Sequence, residues 1–380
     1  MKNNLFGFGC MRLPLFDSND KTSFDYPLIE EMFDEYLSRG YTYFDTAYTY
    51  HGYRGEECVR KALVERYPRN AFEIASKLPL RDFKDHEDMY AIFDEQSHNL
   101  GISYFDYYLL HNMGHNVYQK CADCKAFEFV AEMKRKKKAR HVGMSFHDTP
   151  ELLEEILLKY GSYLDFVQLQ INYVDFDNEA IQSRKCLEVC KKHLKPVTVM
   201  EPCKGGTLIN LPEKAMELLG QYGPSKTPAS LALRFALSQS GVARVLSGMN
   251  AMEQVKENLD IIDGYEPLDS DEYKLIDELK KIINENTAVP CTACGYCQNV
   301  CPQGIAIPTF FSLYNSVKSL GMSSQNVYYI NTVEAGSPRA NACLECGACE
   351  EACPQHIDIR DNLKKVSETF DGFSYAKRGQ

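Results

Sequence analysis

The sequence predicts an α/β chain: a (β/α)8 TIM barrel over residues 1–285, then a small, largely helical domain over residues 286–380. Three observations carry this. Up to Ile283, short apolar runs ending in a polar residue alternate with amphipathic stretches. They do so roughly eight times, the rhythm of a parallel sheet wrapped by helices. The 380 residues exceed a single barrel, commonly about 250 residues, by about one small domain. From Pro290 onward the rhythm stops and cysteines crowd together.

The strand candidates, in order, are Leu5–Gly9, Tyr41–Asp45, Phe72–Lys77, Tyr104–His111, His141–Ser145, Phe166–Gln170, Val197–Glu201 and Val242–Ser247. Between them, apolar residues at three-to-four spacing predict helices over Leu28–Ser38, Glu56–Arg66, His86–Asn99, Phe127–Lys137, Pro150–Lys159, Ile181–Lys192, Pro228–Gln239 and Met252–Ile261. A further helix, Asp271–Ile283, reads as a cover on the barrel, and another is expected around Phe310–Leu320 in the second domain.

Composition excludes some classes of function. The formal net charge of −11 disfavours nucleic acid as a partner, because phosphate binding needs a basic surface. The one dense basic run, Lys134 to Lys138 with Arg140, reads as a solvated helix C-terminus, which the helix dipole favours. No apolar stretch reaches membrane-spanning length, and the first residues lack a signal peptide's apolar region, so no membrane contact and a cytoplasmic location are expected. In a reducing compartment fifteen cysteines are metal ligands or core residues rather than disulfides. Cys186 and Cys190, one helical turn apart, read as core. Cys121 and Cys124 fall in a predicted loop and form an isolated candidate metal or redox pair.

Eight of the cysteines form two copies of one run. They are Cys291-x2-Cys294-x2-Cys297-x3-Cys301-Pro302 and Cys343-x2-Cys346-x2-Cys349-x3-Cys353-Pro354. This is the bacterial ferredoxin spacing, and the segment resembles a ferredoxin-type module with two [4Fe-4S] clusters. Three closely spaced thiolates grip three corners of one cubane, while the fourth has turned away and reaches the neighbouring one. The expected metal ligation is crossed: Cys291, Cys294, Cys297 and Cys353 on one cluster; Cys343, Cys346, Cys349 and Cys301 on the other. Structural zinc, which takes paired Cys-x2-Cys ligands, fits this spacing poorly.

Catalytic groups of a (β/α)8 barrel stand at the C-terminal ends of its strands. Here those ends read Asp45, Lys77, His111, Ser145, Gln168, Glu201 and Ser247, with Tyr50 in the loop after Asp45. The segments Phe8-Gly9-Cys10-Met11-Arg12-Leu13-Pro14, Phe44-Asp45-Thr46-Ala47-Tyr48-Thr49-Tyr50, Ala75-Ser76-Lys77, Leu109-Leu110-His111 and Val142-Gly143-Met144-Ser145 resemble the aldo-keto reductase family over roughly Leu5 to Asp263.

The resemblance implies an oxidoreductase that interconverts a carbonyl and an alcohol with a nicotinamide cofactor. Tyr50 would be the acid, Lys77 held by Asp45 would lower its pKa, and His111 would hydrogen-bond the substrate oxygen. It also implies cofactor contacts at Ser145 and Gln168 on the nicotinamide amide, Met200 where the family stacks a ring, Ser247 in the late loop, and Glu257 with Asn258 on the adenine side. Phe146-His147 stand where the family's asparagine follows the serine, and Ser247-Gly248-Met249-Asn250 where it carries basic residues, so NADP and NAD both stay open. Lys204, in Glu201-Pro202-Cys203-Lys204-Gly205-Gly206, is a second candidate for a phosphate contact. The iron–sulfur module implies a redox partner protein, a flavoprotein or a ferredoxin. The alternative is an electron-transfer protein in which the barrel is only a scaffold.

Overall fold

The computed structural model describes residues 4–17, 20–178, 180–223, 226–285, 288–291, 293–321, 324–353 and 355–373; Pro354, singled out above, lies outside them. The eight strands are β1 (Phe6–Gly9), β2 (Tyr43–Asp45), β3 (Glu73–Pro79), β4 (Phe105–Met113), β5 (Ala139–Phe146), β6 (Phe166–Gln170), β7 (Val197–Met200) and β8 (Val242–Gly248), all parallel and closed β1 to β8. The barrel expectation holds strand for strand.

Around it lie α1 (Tyr26–Ser38), α2 (Gly55–Val59), α3 (His86–Leu100), α4 (His115–Asp123), α5 (Ala126–Arg135), α6 (Pro150–Tyr160), α7 (Ser183–Lys192), α8 (Glu213–Gly220), α9 (Pro228–Leu237), α10 (Met252–Asp263) and α11 (Ser270–Asn284). Several of their starts are set by side chains that accept otherwise unpaired backbone N–H groups, among them Asp85 for α3, Thr149 before Pro150 for α6, and a reciprocal Asp269–Glu272 box for α11. Two expectations are corrected. The helix over Glu56–Arg66 continues past Val59 as a π-helical turn, Arg60–Val64, which keeps Ala62 and Leu63 in the core. Cys121 and Cys124 lie not in a loop but on and just after α4. Cys121 is wholly buried, its thiol pushed up to about 12 by burial, and the Cys124 thiol donates to the Lys84 carbonyl at 3.5 Å.

Strand side chains alternate between the two faces of the sheet, so residues two apart share a face. Tyr43, Ala75, Leu109, Phe166 and Leu246 fill the barrel interior as one apolar layer. Gly143 belongs there because a Cβ would meet the Phe166 carbonyl oxygen at 2.6 Å. Two residues further along the same strands come Asp45, Lys77, His111, Gln168 and Ser145. The polar layer at the mouth is thus the next storey above a packed one.

The C-terminal segment has its own core. It contains α12 (Tyr296–Asn299), α13 (Ile307–Leu320), α14 (Gln325–Glu334), α15 (Ala348–Glu351) and α16 (Ile359–Phe370). Tyr329 lies between Phe310, at 4.6 Å, and Phe370, stacked at 4.8 Å. Helix α14 also lies across the barrel mouth. Asn331 Nδ2 donates to the His147 carbonyl at 2.7 Å, Ser324 Oγ donates to Gln170 Oε1 at 2.8 Å, and Arg81 pairs with Glu334 at 3.1 Å.

Candidate active site

Lys77 organises the mouth. An ammonium has three donors, and Lys77 Nζ directs them to Asp45 Oδ1 at 2.6 Å, the Thr46 carbonyl at 2.6 Å and the Tyr50 hydroxyl at 3.3 Å. Lys77 and Asp45 are both buried. The backbone behind them is braced by Gln96, which donates to the Lys77 carbonyl at 3.1 Å and to Glu56 at 2.7 Å; Ser76 donates to Glu56 at 2.6 Å. Burial holds the Glu56 carboxyl up at about 7. Nothing in the sequence marked Glu56, a residue whose partners, Ser76 on β3 and Gln96 and Asn99 on α3, come from two separate segments. The Tyr50 and His111 rings stand 6.0 Å apart, edge to face.

Electrostatics refine the sequence expectation. Burial opposes the Lys77 charge, yet Asp45 and Tyr50 outweigh it and its pKa stands above the ordinary lysine value. Tyr50 is raised overall: burial lifts it and Lys77 pulls it back only in part. The expected lowering is therefore corrected in its net direction, because desolvation of a phenolate exceeds the pull of an ammonium already shared with Asp45. His111 is driven well below the usual histidine value, by burial first and then by Lys77 and His147. The site thus presents a protonated phenol and a neutral imidazole. Neither changes state between roughly pH 6.5 and 10. The proton on Tyr50 is lost only above its raised pKa, and His111 gains one only below its lowered pKa. These two groups therefore contribute no limb to the pH profile of kcat/KM for a reaction at this site over that interval; a limb near pH 7 that persists in Glu56→Gln, which removes the carboxyl standing at about 7 behind Lys77, would place a charged histidine in the site.

The other predicted contacts are also at the mouth. Ser145 and Gln168 are neighbours in the β5–β6 register; Ser145 Oγ accepts from the Asn112 N–H at 2.9 Å, and buried Gln168 Oε1 has no partner among the described residues. Ser247 Oγ accepts from Asn258 Nδ2 at 3.1 Å, Met200 ends β7 half-buried, and Glu257 is half-buried on α10. Lys204 is not available to a phosphate. It is wholly buried, and Nζ meets the two oxygens of Asp175 at 2.6 and 2.7 Å. The local Lys-Gly-Gly run could not disclose a partner on the preceding loop.

The cysteines converge as two quartets. Cys291, Cys294, Cys297 and Cys353 line one recess with Phe311 and Ile359, about 310 Å³ of space partly open to solvent. Cys301, Cys343, Cys346 and Cys349 line another of about 320 Å³ with Ile305 and Leu363.

Comparison with known proteins agrees with both halves. The aldo/keto reductase family model matches residues 6–281. The chain belongs to the aldo/keto reductase family. A 4Fe-4S dicluster domain matches residues 290–357, so this reductase-family barrel is joined to a ferredoxin-type iron–sulfur domain. Among relatives, a 9,11-endoperoxide prostaglandin H2 reductase of Trypanosoma cruzi is 28% identical over 249 residues, 64% of this chain and 80% of that protein. An uncharacterized oxidoreductase of Bacillus subtilis is 24% identical, spanning 67% of this chain and 85% of that one. The holo form of an aldo-keto reductase from Bacillus halodurans superposes with a TM-score of 0.56 at 25% identity, covering 73% and 91% of the two chains. A Klebsiella pneumoniae aldo-keto reductase in complex with NADPH shares the fold at 21% identity and TM-score 0.56, over 72% and 90%. The chain is an oxidoreductase of this family, and among its described residues no helix is long and apolar enough to cross a membrane.

Proposed function

We propose that this chain reduces a small carbonyl compound, or oxidises the corresponding alcohol, with a nicotinamide cofactor. The observation that carries the proposal is the Lys77 ammonium, its three donors committed to Asp45, Thr46 and Tyr50. In reduction, neutral His111 holds the carbonyl oxygen and Tyr50 gives that oxygen its proton. Tyr50 is left as a phenolate facing Lys77, which stabilises it until a proton returns. A nicotinamide bound beside Gln168 and Ser145 would supply the hydride for the carbonyl carbon. In oxidation the Tyr50 phenolate takes the hydroxyl proton. Gln168 Oε1, buried and unpartnered, suits the amide N–H of a nicotinamide, with Ser145 beside it; Met200, Ser247, Glu257 and Asn258 are assigned to the rest of the cofactor. NADP and NAD are both accommodated by this reading. The complete Asp45, Lys77, Tyr50 and His111 set speaks against an idle barrel.

The same reading assigns two [4Fe-4S] clusters, one to each cysteine quartet, in the crossed arrangement. Cys301→Ala should then perturb the cluster held by Cys343, Cys346 and Cys349; a change confined to the Cys291 cluster would refute the crossing. The domain division is placed between residues 285 and 286, since α11 ends at Asn284 and the second core takes up Val289. The reading also places the protein in the cytoplasm.

Clusters pass single electrons and nicotinamide passes two, so the clusters are assigned to a separate redox partner, a flavoprotein or ferredoxin. Anaerobic titration with NADPH and NADH tests the cofactor and the coupling together, and the absence of Trp leaves the cofactor's emission easy to follow. Saturable binding without cluster bleaching, then rapid bleaching when a flavoprotein is added, is the expected result. Failure of both nucleotides to bind defeats the nicotinamide assignment; fast bleaching without a mediator defeats the partner assignment.

A further inference from the structure

We propose that His147 is a substrate-binding residue of the barrel site, that it holds a hydroxyl on the carbon next to the reacting carbonyl, and that Asn331 of the iron–sulfur domain is its positioning residue. The substrate class is then the α-hydroxy carbonyl compounds. This rests on the carbonyl-reductase reading and narrows it.

His147 follows β5 directly. Its side chain is 7% exposed, and Nδ1 has no hydrogen-bond partner among the described residues. An unpaired buried polar atom is costly, and a ligand's hydroxyl would relieve that cost. Burial holds the imidazole pKa down at about 4, so the ring is neutral near pH 7, with one nitrogen donating and the other accepting. A hydroxyl both donates and accepts, so it suits whichever tautomer His147 takes.

The backbone places this residue beside the end of the strand that carries His111. His147 N–H donates to the Met113 carbonyl at 3.1 Å, and Met113 ends β4 two residues beyond His111. The two imidazoles are close enough for a charge on His147 to disfavour one on His111. From the other side, buried Asn331 Nδ2 donates to the His147 carbonyl at 2.7 Å, and the Tyr328 ring meets the imidazole at 5.9 Å, near edge to face. One strand of the barrel and one helix of the iron–sulfur domain therefore fix a single histidine between them.

The test compares 3-hydroxybutan-2-one with butan-2-one in anaerobic nicotinamide oxidation by the full-length, cluster-loaded chain. The native protein should favour the hydroxyketone by about tenfold in kcat/KM, roughly one net hydrogen bond. His147→Leu should bring that ratio near one, and His147→Gln, which keeps a donor and an acceptor, should retain part of it. Asn331→Ala should raise KM for the hydroxyketone several-fold more than for butan-2-one, at unchanged iron content; this carries the test if His147→Leu does not fold. Equal use of both ketones by the native chain, or a ratio unmoved by either substitution, overturns the inference alone. No turnover of either ketone overturns it together with the carbonyl-reductase reading.

Discussion

Tyr50→Phe should lower turnover of a carbonyl substrate by roughly 10²–10⁴-fold, the usual cost of losing general acid catalysis. The substitution keeps the ring that meets His111 edge to face at 6.0 Å and removes only the hydroxyl that Lys77 reaches at 3.3 Å. Lys77 keeps its two shorter bonds, to Asp45 and to the Thr46 carbonyl, so its charge stays compensated and the fold should hold. The loss should therefore fall on kcat, with cofactor affinity, read by fluorescence titration, close to that of the native protein. Turnover within a few-fold of native would remove Tyr50 from its role and leave the proton to another donor.

Lys204→Met should destabilise the barrel by about 3–5 kcal/mol, the range for removing one partner of a buried ion pair. Asp175 is wholly buried and would keep only the amide donors of Gln170, at 2.7 Å, and Asn172, at 2.8 Å. A methionine nearly fills the space of the lysine stem, so most of the loss comes from a carboxylate left without its cation. Calorimetry should show a lower unfolding midpoint, and adding Asp175→Asn should recover part of it by removing the stranded charge. A role for Lys204 in holding a phosphate makes the opposite forecast: weaker nucleotide binding at unchanged stability.

The barrel was legible because its determinants are local and repeat. An apolar run, a polar strand end and an amphipathic helix identify each unit without reference to the others, and the cysteine spacing is equally local. Elements without such periodicity were not legible. Helix α14 buries Gln325, Tyr328, Tyr329, Ile330 and Asn331 between two partners, so it carries no single apolar stripe. Short α4 and α8 likewise went unassigned, and so did α16, although its buried Ile359, Leu363, Val366 and Phe370 do follow helical spacing.

What the sequence by itself determined was the order of reactive residue types at the strand ends, Asp45, Lys77 and His111 with Tyr50 after the first, and the doubled cysteine run. Only the tertiary structure decided which charges meet: that Lys204 is committed to Asp175, that Tyr50 ends above and not below its ordinary pKa, and that His147 is held by Asn331, 184 residues away. The physical reason is that periodicity follows from backbone geometry within a few residues of chain. Burial and pairing depend on neighbours that become neighbours only when the strands close into a barrel and the iron–sulfur domain settles across its mouth.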